Sequence, residues 1–144
     1  NMMFDAEGNV LCVIDLDTVM PSFVFSDYGD FLRTGANFVA EDSDDFKAVG
    51  FNDVIFKAFT EGYLSSALPF LTPVEISHLP FAAALFPYMQ CVRFLTDYLN
   101  GDTYYKIKYD EHNYVRTKNQ LLLFQDARRK ERMMTEFIHQ TIRQ

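Results

Sequence analysis

Strand pattern is confined to the first 14 residues of the 144. Met2 to Phe4 is apolar, and Asp5, Glu7, Gly8 and Asn9 are turn formers. Val10 to Ile14 is an apolar run rich in β-branched side chains. Two short apolar runs around a turn of four or five residues read as a β-hairpin. Val10, Cys12 and Ile14 share one face of the second strand, and Leu11 and Val13 share the other. Both faces are apolar, which predicts a strand buried on both sides. A two-stranded ribbon cannot build a core alone, so the core has to come from the remainder of the chain.

That remainder reads as helix. Pro21 breaks the chain after the hairpin, and Asp27 is a candidate N-cap for a short helix through Arg33, closed by Gly35. An acidic, solvated connection, Glu41 to Asp45, comes next. Asn52 can cap a helix through about Ser66 that carries Val54, Ile55, Phe59 and Tyr63 at helical spacing. Thr72, Pro73 and Glu75 spell a capping box with proline in the first turn. That helix is predicted to run to about Tyr98, with Asn100 and Gly101 ending it. Phe81, Leu85, Tyr88, Met89 and Phe94, among few charges, place it at the centre of the domain. Residues 102–112 look irregular. A last helix, Asn113 to Ile142, carries Leu123, Ala127, Met134, Phe137 and Ile138 on one stripe, with Arg128 to Arg132 mostly off it. The predicted class is mainly α with an N-terminal β-hairpin. It divides into a hairpin (1–19), a loop with a short helix (20–45) and a helical subdomain (46–144).

A hydrophobic content of 49% supports one domain with a real core, and 15 Phe and 8 Tyr make that core aromatic. The net charge of −7 argues against nucleic acid as a partner. No apolar run is long enough for a membrane span, and no signal-peptide pattern is present. Cys12 and Cys91 lie in apolar runs and read as buried reduced thiols, which suits a cytoplasmic protein. The sequence opens on Asn1 and enters a strand at once, so the expectation is a fragment whose upstream part is missing.

The hairpin ends on two carboxylates, Asp15 and Asp17, with Leu16 between them. Three readings are open. In the first, "IDLDTV" resembles the first motif of haloacid-dehalogenase-type phosphatases, with Asp15 as nucleophile, Asp17 as general acid and Mg²⁺ beside them. That fold needs a parallel sheet, and strand pattern is nearly absent beyond residue 20. In the second, the acids merely end a strand and cap a turn, which is costly if the strand is doubly buried. In the third, they belong to a kinase-type metal site. There an Asn precedes a short hairpin, an Asp follows it, and both hold Mg²⁺ on the nucleotide phosphates. Asn1 and Asp15 occupy those two places, with hard oxygen donors that suit the ion.

The stretch "NMMFDAEGNVLCVIDLDTVMPSFVFSDYGDFLRTGAN" resembles the aminoglycoside phosphotransferase and choline kinase superfamily, and is most similar to kinases that phosphorylate N-acetylhexosamines at the anomeric hydroxyl. "VIDLDTVMP" and "DYGDFLRTGAN" carry the likeness, and "VRFLTDYLNGDTYYK" (92–106) adds to it. The resemblance implies the C-terminal lobe of a protein-kinase-like α+β fold, with ATP as co-substrate, Mg²⁺ as cofactor and a small sugar as acceptor. It implies Asn1 and Asp15 as magnesium ligands and Asp17 as a second metal contact or sugar acceptor. Asp27 would brace the catalytic loop. Ser22 departs from the family, which has Gly there. The general-base Asp would lie five residues before Asn1, outside the sequence, as would the nucleotide lobe; the chain alone is then inactive. A non-catalytic helical interaction module that kept a kinase-like hairpin is a further alternative.

Arg93 lies in an otherwise apolar helix. It reads either as a snorkelling or paired structural arginine or as a donor to sugar hydroxyls. Arg33 is expected to pair with Asp27 or Asp30. His78, His112 and His139 show no metal spacing and are read as surface or cap residues.

Overall fold

The computed structural model describes residues 2–143. Among them, β1 (Met2–Phe4) and β2 (Val10–Val13) form an antiparallel two-stranded sheet, followed by a 3-10 turn at Leu16–Thr18. Four α-helices complete the chain: α1 (Phe25–Gly35), α2 (Asp53–Ala67), α3 (Pro73–Leu99) and α4 (His112–Thr141). The protein is therefore mainly helical with an N-terminal hairpin. No helix among the described residues is long and apolar enough to cross a membrane.

Met2 lies opposite Val13 and Met3 opposite Cys12, but Phe4 lies opposite Val10, so Leu11 is an extra residue in β2. Asp5 organises the turn. Its Oδ1 accepts the N–H of Glu7 (3.0 Å) and of Asn9 (2.8 Å), and Gly8 takes the left-handed backbone, at φ 87°, that the turn requires. Burial corrects the sequence reading. Val10, Leu11 and Val13 are all more than half exposed, so both faces of β2 meet solvent. The helices bury their apolar stripes against one another, and none of them packs extensively on the ribbon. Cys12 is exposed for the same reason, whereas Cys91 is buried; both are free thiols.

The helix starts follow the cap chemistry where caps exist. Asn52 accepts the N–H of Val54 (3.0 Å) and Ile55 (3.2 Å). Thr72 and Glu75 form the full capping box, with Glu75 Oε2 2.7 Å from the Thr72 N–H. α1 differs: it begins at Phe25, its N-cap Val24 makes no side-chain cap bond, and Asp27 is the third helical residue rather than the cap. Val24 and Phe25 pack against the core, and this apolar burial sets the start in place of a polar cap.

α3 is central, as expected, but the side chains that make it so are small. Ala82, Ala83 and Ala84 are buried with Leu79 and Phe94, whereas Phe81, Tyr88 and Met89 point outward and are exposed. α1 and α4 both pack along α3. The α1 approach is close: a Cβ on Gly29 would lie 2.8 Å from the Ala82 carbonyl oxygen and 2.4 Å from the Phe86 ring. Behind this contact the buried Tyr28 hydroxyl meets Thr60 Oγ1 at 2.7 Å, and burial raises the Tyr28 pKa. α4 buries Leu123, Ala127, Met134 and Ile138 as the stripe predicts. It also buries Asn113, Asn119 and Gln120. Asn119 donates to the Ala40 carbonyl (3.0 Å) and accepts from Asn37 Nδ2 (3.0 Å), which fastens the acidic connection to α4. His112 is buried rather than superficial, with Nδ1 accepting the Lys108 N–H at 3.2 Å.

Two glycine substitutions should separate packing from propensity. Gly29→Ala forces Cβ into backbone and should destabilise the fold by about 1–3 kcal/mol, as overpacking does. Gly62→Ala adds a methyl where nothing lies within 4 Å, inside α2. It should stabilise by about 0.5–1 kcal/mol. Urea denaturation of the two variants measures both signs.

Candidate functional site

Asp15 leaves β2 in the left-handed conformation, φ 62° and ψ 49°. For a residue with a side chain this conformation costs on the order of 1–3 kcal/mol, and such residues cluster at ligand sites. Asp tolerates it better than most because its short side chain can bond locally. Here Asp15 caps nothing with its side chain. Its position instead lets the chain turn sharply into the Leu16–Thr18 turn, and Asp15 then lines a cleft of about 590 Å³ with Val13, Leu16, Ser22, Ser26 and Asp27. β2 supplies one wall and the first turn of α1 the other, so the α1–α3 packing is what carries Asp27 to the cleft.

The sequence-predicted residues divide accordingly. Asp15 and Asp27 share the cleft, whereas Asp17, exposed in the 3-10 turn, does not line it. Asn1 lies outside the described residues. Arg33 pairs with Asp30 (2.9 Å) and Glu41 (2.5 Å), which leaves Asp27 out of that pair. No three His, Cys, Asp or Glu side chains converge to hold a metal among the described residues. Mg²⁺ on a nucleotide asks less, since one or two carboxylates with phosphates and waters complete its shell. The oxygen donors of Asp15 and its cleft fit that demand. Burial does not mark Asp15 out, because its side chain is exposed and solvated. What singles it out is its backbone.

Arg93 belongs to a second cleft, of about 440 Å³, which shares no lining residue with the first. It is exposed, which corrects its expected place in the core. Its guanidinium carbon lies 5.6 Å from the Tyr105 ring centre and 6.0 Å from that of Tyr104, and Nη1 reaches Gln90 Oε1 at 3.4 Å. No carboxylate pairs with it among the described residues; the acid of the cleft, Asp97, is bonded elsewhere. Sequence reading missed Tyr104 and Tyr105 as neighbours of Arg93, and Asp97 as the acid of the same cleft. The signal was present in the helix end at Asn100–Gly101, where the chain reverses and brings residues 103–105 back onto the last turns of α3. Burial works to raise the Asp97 carboxyl. The N–H groups of Tyr105, Tyr104 and Thr103 outweigh it, with Asn113, and hold it below the ordinary range.

No protein-family model matches the sequence.

Two outcomes are expected. Arg93→Ala should change stability by less than about 0.5 kcal/mol, as for an unpaired surface side chain, which thermal or urea melts would show. Asp97 has a depressed folded pKa, so its contribution to stability is complete above the unfolded carboxyl value of about 3.9 and is lost as pH falls through the folded value. The stability gap between wild type and Asp97→Asn should therefore stay constant from pH 7 to about 5 and narrow below about 4. Urea melts across that range check it.

Proposed function

We propose that this chain is the C-terminal-lobe part of an ATP-dependent phosphotransferase that phosphorylates a sugar hydroxyl, an N-acetylhexosamine at its anomeric position being the favoured acceptor. The single observation that supports this most is the left-handed Asp15 at the hairpin exit, facing a cleft with Asp27. In this reading Asp15 and Asn1 would hold Mg²⁺, which would supply positive charge against the ATP phosphates. Asp27 would brace the loop that carries the general base. Arg93, with Tyr104 beside it, offers a planar fork of donors and an aromatic face, a pairing suited to a pyranose ring with its hydroxyls.

The phosphatase reading draws no support from the fold, since the sheet among the described residues is two antiparallel strands. A non-catalytic interaction module has one observation in its favour, the apolar ribbon exposed on both faces.

The test uses the complete protein with ATP, Mg²⁺ and N-acetylhexosamines. Sugar 1-phosphate should form. Asp15→Asn should cut turnover by orders of magnitude while leaving the melting temperature unchanged, because Asn accepts the left-handed backbone and only the charge is lost. Near-normal turnover in that variant removes Asp15 from the metal site. Metal-dependent hydrolysis of a generic phosphate ester would favour the phosphatase, and no Mg²⁺-ATP binding at millimolar ligand would favour the module.

A further inference from the structure

Asp97 stands in the last turn of α3 and is 5% exposed. Its carboxylate is fully used. Oδ1 accepts the N–H of Thr103 (3.0 Å) and of Tyr104 (2.8 Å). Oδ2 accepts the N–H of Tyr105 (3.0 Å) and Nδ2 of Asn113 (2.9 Å). A carboxylate offers about four acceptor positions, and all are taken. Although Asp97 is the acid in the wall of the second cleft, it has nothing left for a ligand. Successive backbone amides that point the same way form a concavity for an anion. Here the anion is the protein's own.

The loop around it is built to keep that arrangement. Gly101 at φ 82° and Asp102 at φ 57° turn the chain back on itself. Asn113, buried at the start of α4, donates both to Asp97 Oδ2 and to Asp102 Oδ1, the latter at 2.7 Å. The helix that packs along α3 therefore holds the carboxylate from behind. Tyr104, in contrast, is 74% exposed. Its ring touches the Tyr105 ring edge-on at 4.8 Å and lies near Arg93. With so little packing of its own, the ring depends on the backbone beneath it for the point from which it projects. Tyr105 is placed by the same amide run and by its tilted ring contact with Phe94 at 4.8 Å.

We propose that Asp97 is the positioning residue of this cleft: by gathering the amides of Thr103, Tyr104 and Tyr105 it sets the Tyr104 ring against Arg93 and so shapes the surface that receives the ligand. The proposal rests on the sugar-kinase reading for the identity of the ligand, but not for the geometry. Asp97 touches no ligand itself. It couples two side chains from separate segments, one on α3 and one on the returning loop, into a single recognition surface.

The experiment has two arms on the complete protein, wild type against Asp97→Asn. Asn keeps one acceptor oxygen and turns an NH₂ group toward donors. The first arm, amide hydrogen exchange without ligand, should show at least tenfold faster exchange at Thr103 to Tyr105, with protection in the core of α4 retained. The second arm is calorimetric titration with N-acetylglucosamine. Affinity should fall at least tenfold, and Arg93→Ala should cost much less in the Asp97→Asn background than in wild type, a non-additivity that a merely structural role would not produce. Should Asp97→Asn not fold, Asp97→Glu carries the same two readouts. Unchanged exchange in the loop, or unchanged affinity in a protein that binds the sugar, overturns the proposal. A wild type that binds no N-acetylhexosamine overturns the sugar reading instead, and the exchange arm alone then decides the role of Asp97.

Discussion

The architecture turns on how closely α1 can approach α3. At the crossing Gly29 on one helix faces the Ala82 carbonyl and the Phe86 ring on the other, with Ala83 and Ala84 buried alongside. Close backbone approach gains dispersion along the whole contact and leaves no room for adjustment. The start of α1 inherits its position from that contact. The first turn of α1 carries Ser26 and Asp27, and the loop before it returns to Asp15. A methyl group at residue 29 would therefore be felt at the cleft, whose Ser26 and Asp27 lie within one turn of it.

The two clefts draw on different mechanical supports. The first is bounded by an exposed ribbon and a loop, with one strained residue and apolar walls. The second is fixed by a saturated carboxylate and by aromatic contacts that run through Tyr105 to the buried Phe94.

Sequence signals with a local cause read correctly. The Thr72–Glu75 capping box and the Asn52 cap lie where pattern placed them, because each depends on residues three apart. The Asp5–Asn9 turn obeys the same logic. Signals that depend on which neighbour is present misled. The apolar run Val10–Ile14 describes a surface ready for burial, and periodicity cannot say whether anything covers it. In α3, large residues suggested the inward face, but a central helix packed on two sides at close range buries its alanines and sends Phe81 and Tyr88 out. Arg93 was misplaced with them. The left-handed state of Asp15 left no trace in composition, since Asp occurs freely in ordinary turns. The role of Asp97 depended on a chain reversal whose Gly101 was legible but whose target was not.

The ribbon is joined to the helical body by the loop after it and by little packing. A hairpin of this size holds its shape only marginally in water, and both of its edges offer unpaired backbone groups. Thermal and denaturant melts will thus report on the helices and pass over the ribbon. Changes confined to the ribbon around Asp15 can leave such a melting curve unaltered. A melting curve of this protein therefore reads the helical body, and the state of the ribbon needs a separate, local measurement.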